Sequence, residues 1–150
     1  MKEGDLEAIK ALKYAYFRHL DLKEFDDLGA LLTADATASY EDGRRSYEGR
    51  DAIVGFIKEA LGNPGFVTQH HGHHPEITFS GDDEATGRWY LEDRVIIPEF
   101  DIEIAGTAFY EDRYVRDGCR WRIAHTGYER IFEERRAHST YELSSFTTRF

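Results

Sequence analysis

Apolar residues recur at helical spacing over the first third of the chain and at every second position afterwards. Ile9, Leu12, Tyr16, Phe17 and Leu20 share one face of a first helix that Asp5 is placed to cap. The segment from Lys23 to Leu32 repeats the pattern with Phe25, Leu28, Leu31 and Leu32. A short strand around Thr37 to Tyr40, a hairpin-type turn at Asp42-Gly43 and a return strand over Arg44 to Tyr47 come next. Ile53, Phe56, Ile57, Ala60 and Leu61 mark a third helix, with Gly62 fitting its C-cap and Pro64 just beyond. From there the period is two. Long strands are expected over about 66–80, 84–97, 102–116 and 119–132. Gly81-Asp82-Asp83, Pro98 and Asp117-Gly118 supply the turns. Helices first and hairpin-linked strands after them predict an α+β fold, with helices packed on one face of a curved antiparallel sheet.

The 150 residues suit one domain, and 41% hydrophobic residues suffice for one core. The 14% of aromatics is high and fits a pocket for a flat ligand. Residues 133–150 form a polar tail with aromatics at Tyr141, Phe146 and Phe150, either disordered or docked on the domain or on a neighbouring subunit. With 19 basic against 29 acidic residues, the formal charge of −10 argues against nucleic-acid binding. Arg44, Arg45 and Arg50 read as a solvated turn rather than a handle for an anionic carrier. A single cysteine, Cys119, excludes an intrachain disulfide. The charged start is unlike a signal peptide and no apolar run is long enough to span a membrane, so the expected setting is cytoplasmic.

The informative positions are polar groups on faces that the pattern reserves for apolar ones. Over 84–97, one face carries Ala85, Gly87, Trp89, Leu91, Asp93 and Val95. A carboxylate at Asp93 needs a histidine, arginine or tyrosine partner inside, because desolvating a lone charge costs several kcal/mol. A structural buried pair, or a bulge that turns it outward, would also account for it. Gln69-His70-His71-Gly72-His73-His74 holds four of the seven histidines. His71 and His73 share a strand face and could supply two metal ligands, but no third is indicated and no metal is expected. Acid–base chemistry is the stronger reading. Counting back from Ile77 and Phe79 selects His73 and His71 as inward, whereas a bulge at Gly72 would bring in His70 instead. Tyr16 lies on the apolar stripe of the first helix, and Asp21 ends that helix. His125 follows Trp121 and Ile123 on an apparently apolar face, where a satisfied core histidine is the plainer reading.

The segments Tyr16-Phe17-Arg18-x-Leu20-Asp21, His70-x-Gly72-His73-x-Pro75-Glu76-Ile77 and Thr86 to Arg94 resemble the bacterial bile-acid 7-alpha-dehydratases. Ala108-Phe109-Tyr110-x-Asp112-x-Tyr114 and Thr126-Gly127-Tyr128-x-Arg130-Ile131 extend the likeness to about Glu134. More distantly the chain is similar to scytalone dehydratase and other SnoaL-like members of the nuclear transport factor 2-like superfamily. The resemblance implies a cone-shaped α+β fold, a curved mixed or antiparallel sheet closed by N-terminal helices. It implies catalytic roles for Tyr16, Asp21, His70 and Asp93, with Asp93 as the partner of His70 and a bulge that turns His70 inward. Tyr40 matches a pocket tyrosine of the scytalone-type enzymes, and Trp89, Leu91 and His125 are expected to join it against the substrate. Leu20 replaces the tyrosine that those enzymes carry before the helix-end aspartate, which counts against a scytalone-like substrate.

The implied activity is a cofactor-free dehydration of a small hydrophobic ketone-bearing compound, free or as a carrier thioester. Tyr16 would donate to the carbonyl, and His70 would take a proton and return it to the leaving hydroxyl. A ketosteroid-isomerase-like or polyketide-cyclase-like reaction, or binding without chemistry, are the alternatives. The likeness also implies a homo-oligomer, a trimer ahead of a dimer.

Overall fold

The computed structural model describes residues 4–150. Helix α1 (Asp5–Asp21) buries Ile9, Leu12, Lys13, Tyr16, Phe17 and Leu20. These six positions recur at intervals of three and four, the spacing of one helix face. Gly4 rather than Asp5 occupies the N-cap. Asp5 lies inside the first turn, where its carboxylate accepts from Arg116 Nη2 at 2.7 Å and Trp121 Nε1 at 3.1 Å. It therefore anchors the start of the helix to the sheet.

A short α2 (Phe25–Ala30) leads into β1 (Leu32–Tyr40), which starts earlier than the alternation indicates. β2 (Arg45–Glu48) returns through a turn in which Glu41, Asp42 and Gly43 all have positive φ. Helix α3 (Arg50–Leu61) ends at Gly62, and β3 (Val67–Phe79), β4 (Glu84–Ile97), β5 (Ile102–Asp117) and β6 (Arg120–Arg136) follow. Six strands form one curved, open sheet in the order β2-β1-β6-β5-β4-β3. The pairing of β1 with β6 is parallel and every other pairing is antiparallel, so the sheet is mixed. The expected α+β class, with helices on one face of a curved sheet, is what the chain adopts.

The tail docks on its own domain. Tyr141 lies beneath the guanidinium groups of Arg94 and Arg136, and its hydroxyl donates to Glu103 at 3.3 Å. Phe146 packs edge-on to His138, and Phe150 lies 5.4 Å below the Lys23 ammonium. Among the described residues no helix is long and apolar enough to cross a membrane.

The sheet's alternation is interrupted by irregularities that set which residues face inward. On β3 the register slips between His73 and Glu76, where His74 has φ +47 and one extra residue is accommodated. The expected bulge is therefore real but sits at His74-Pro75, not at Gly72. Its effect is the one anticipated: His70 and Gly72 face the helices, and His71 and His73 face away. Gly72 has its own task. A Cβ there would stand 2.3 Å from Phe17 Cε2, so the missing side chain lets α1 lie close against β3. The Phe17 ring is buried and packs against Tyr16 and Tyr110, which restricts its escape. Gly72→Ala should lower stability by about 1–3 kcal/mol in urea unfolding, the usual cost of overpacking. A loss below about 0.5 kcal/mol would mean that Phe17 swings aside freely.

Candidate active site

Between α1, α3 and the inner face of the sheet lies a cavity of about 300 Å³. This is near the lower end of the size range of small-molecule sites. Its wall is apolar around Leu20, Phe56, Ile57, Leu91, Val95 and Ile104. The polar groups that reach it are His70, Asp93, Arg130, Glu41, Glu133 and the phenols of Tyr40, Tyr110 and Tyr128.

His70 is held by Asp21, not by Asp93. Its Nδ1 lies 2.6 Å from Asp21 Oδ1, and its backbone N–H donates to Asp21 Oδ2 at 2.9 Å. Thr68 Oγ1 donates to Asp21 Oδ1 at 2.8 Å. The helix ends at Asp21, so this carboxylate projects from the last turn onto β3. An ionised carboxylate only accepts, which assigns the proton to Nδ1 and the lone pair to Nε2. Phe17 stacks on the imidazole with ring planes 10° apart. The imidazole is thus fixed in tautomer and in orientation.

Asp93 faces inward, as the alternation on β4 predicts, and is only 6% exposed. It stands opposite His70 in the β3–β4 register. Its partner, however, is Arg130, through a bidentate contact of 2.5 and 2.7 Å. Two sequence features bring the guanidinium there. An extra residue at Ala124 slips the β5–β6 register between Arg113 and Tyr114 and puts Arg130, like Tyr128, on the inner face. Gly106, the β5 neighbour of Asp93, leaves the path open: a Cβ there would stand 2.9 Å from Arg130 Nη1. Burial opposes the Arg130 charge, but the hydrogen bonds and charge of Asp93 more than offset this and raise its pKa. Arg130 was visible in the sequence only as part of a matching segment. Its reach across one strand is not a local property.

Other expected contacts divide. Tyr40 and Leu91 line the cavity. Trp89 faces inward but lies deeper, fully buried, with Nε1 donating to the Tyr114 hydroxyl at 2.8 Å and the ring against Tyr14. It packs the core under α1 and does not line the cavity. His125 is turned outward, because the same slip in the β5–β6 register at Ala124 inverts the alternation that Trp121 and Ile123 establish. Its Nδ1 meets Thr37 Oγ1 at 2.7 Å, beside the parallel partner strand. Tyr16 is 1% exposed and sits one layer behind the cavity, with its ring edge-on to that of Tyr110 at 6.3 Å. No three metal-binding side chains meet inside the cavity among the described residues.

The profile of the SnoaL-like domain matches residues 4–127. The chain belongs to the SnoaL-like domain family. A candidate scytalone dehydratase from Novosphingobium aromaticivorans superposes with a TM-score of 0.80 at 23% identity, over 87% of this chain and 86% of that one. The hexachlorocyclohexane dehydrochlorinase LinA-type3 from Novosphingobium barchaimii gives 0.79 at 17% identity, over 89% and 91%. The ActVI-ORFA protein of Streptomyces coelicolor gives 0.74 at 13% identity, over 85% and 98%. At these identities the likeness concerns the fold, of the nuclear transport factor 2-like kind.

Beneath the cavity of this SnoaL-like domain lies a buried pair that the alternation did not single out. Lys13 Nζ is 2.7 Å from Asp112 Oδ2, and both side chains are fully buried. The ammonium sits 3.7 Å from the centre of the Tyr110 ring and 4.6 Å from that of Tyr16. Tyr114 donates to the same Asp112 oxygen at 2.7 Å. Burial lowers the Lys13 pKa, and the Asp112 charge acts against that shift. A signal was available: Lys13 falls on the apolar stripe of α1, four residues from Ile9 and from Phe17.

Burial is also the main force on the phenols. It pushes Tyr16 up to about 12, with Tyr40 and Tyr110 raised as well, so all three remain hydrogen-bond donors at neutral pH. A pKa raised by folding contributes stability that is complete below the unfolded value near 10 and is lost as pH rises through the folded value. The urea midpoint should therefore fall steeply between about pH 10 and 12, with the buried phenols ionising only as the chain unfolds. Phenolate absorbance of these tyrosines near pH 10 in a folded domain would contradict the arrangement.

Proposed function

We propose that this chain is a cofactor-independent lyase that removes water from a small cyclic ketone bearing a hydroxyl group. The observation that carries this reading is the Asp21–His70 contact of 2.6 Å, which orients an imidazole that lines an apolar cavity and leaves its Nε2 free of Asp21. Similarity to a candidate scytalone dehydratase and to a dehydrochlorinase, both named for eliminations, supports the same class.

In the proposed reaction, Nε2 of His70 takes a proton from the carbon next to the carbonyl. The C–H electron pair moves to the carbonyl oxygen as an enolate. Phenol donors stabilise that charge best in a site shielded from water, and Tyr40, Tyr110 and Tyr128 line the cavity. Tyr16 backs Tyr40 and Tyr110 from behind. The enolate then reforms the carbonyl and expels the hydroxyl, which collects the proton from His70 and leaves as water. Asp21 holds the imidazole while its charge changes. Arg130, neutralised by Asp93, helps to shape the polar end of the cavity. The modest volume favours a substrate of few rings, and a free small molecule over a carrier thioester.

One observation favours a second reading, a ketone isomerisation. A single histidine lines the cavity, so one group both removes and delivers the proton, which serves a 1,3-shift equally well. Product mass separates the two. Wild-type protein incubated with hydroxy-ketosteroids, their thioesters and smaller hydroxylated cyclic ketones should yield a product lighter by one water. His70→Ala and Asp21→Asn should each slow it by about 10²–10⁴-fold while retaining the fold. Asp93→Asn should cost less than Asp21→Asn, because Asp93 does not hold the base. Full turnover in both His70→Ala and Asp21→Asn would overturn the assignment, and an unchanged product mass with a new conjugated-ketone absorbance would transfer it to isomerisation.

A further inference from the structure

The bulge that turns His70 inward has a counterpart on the other side of the sheet. His71 and His73 alternate with His70 and Gly72, so both project from the outer face of β3. Glu92 is the direct cross-strand neighbour of His71 on β4. One ligand atom from each of His71, His73 and Glu92 lies within 4.8 Å of the others. The His73 Nε2 to Glu92 Oε2 distance is 3.6 Å, and the two imidazoles are 5.8 Å apart at 68°. The fold thus supplies the third ligand that the spacing of the histidines alone does not indicate.

We propose that His71, His73 and Glu92 form a binding site for a transition-metal dication of the zinc class. Two imidazoles and a carboxylate at 2.0–2.2 Å from one tetrahedral ion stand roughly 3.4 Å from each other. The His73–Glu92 pair already meets that spacing, and the remaining gap closes by at most about 1.4 Å, within the reach of side-chain rotation. Nitrogen donors select zinc, cobalt, nickel or copper over magnesium and calcium. All three ligands stand on paired strands rather than on a loop, so little backbone order must be gained on binding. The chain's negative charge raises the local concentration of cations. The fourth position is left to water, and partial exposure of the ligands places the ion at the surface, on the opposite side of β3 from the reacting cavity. The ion would pin β3 to β4 directly behind His70 and is separate from the lyase chemistry, so the inference stands whether or not the proposed function does.

The experiment is a zinc titration of tag-free protein by calorimetry, with cobalt absorption as a second readout. One equivalent should bind, raise the melting temperature by several degrees and give a visible cobalt spectrum. His71→Ala, His73→Ala and Glu92→Gln should each weaken binding by at least about tenfold. His71→Ala should leave the activity of the metal-free protein unchanged. His70→Ala should bind zinc as wild type does, because its ring points the other way. His19→Ala is the control for the exposed group of His19, Glu24 and Asp27, and should also bind normally. Absence of saturable binding up to about 1 mM zinc, wild-type affinity in His71→Ala and His73→Ala, or loss of binding only in His19→Ala would each overturn the proposal.

Discussion

The carboxylate of Asp21 is the joint between the helical layer and the sheet. β3 is an edge strand, with β4 on one side and no strand on the other. An edge exposes N–H groups that must be covered or left to water. Asp21 accepts one of them from His70 and binds Thr68 and the His70 imidazole as well. The same carboxylate thereby docks the end of α1, covers the sheet edge and sets the tautomer of the His70 imidazole. Because these tasks share one group, the position of the helix and the chemistry of the cavity are not independent.

The second constraint is charge taken out of water. Lys13 with Asp112 and Arg130 with Asp93 place two ion pairs in or beneath an otherwise apolar interior. Breaking such a pair by removing one partner is far costlier than the pair's net contribution to stability. Their value in this fold is geometric. Arg130 reaches Asp93 across Gly106, where a side chain would crowd it, and Lys13 meets Asp112 with the rings of Tyr16 and Tyr110 packed around its ammonium. Each pair therefore specifies one arrangement of the strands and of the phenols above them.

Periodicity carried most of the fold. The three helices, the two-residue period of the long strands and the inward position of Asp93 are all properties of near neighbours in the chain. What alternation missed came from single-residue slips. His70 faces inward because of an extra residue at His74-Pro75, and one at Ala124 turns His125 outward and brings Arg130 in. Counting by twos inverts silently at each slip, and only a register with a neighbouring strand reveals it. The family resemblance named both His70 and Asp21, which the structure brings into contact, but paired His70 with Asp93. The helix-end carboxylate wins that contact because it approaches from the edge side of β3, while Asp93 is occupied by a guanidinium arriving from two strands away.

The parallel pairing of β1 with β6 has a bearing on how the protein is made. Thr37 lies beside His125, and Ser39 beside Gly127, so a strand from the first third of the chain has its main partner in the last. As the chain leaves the ribosome, β1, β2 and α3 emerge long before β6 exists, and the wall they form around Tyr40 and Phe56 has nothing to close against. Such a late, distant contact slows folding and leaves an apolar half-cone exposed while synthesis continues. The last strand to be synthesised is the one that joins the two halves, and the cavity comes into being only at that step.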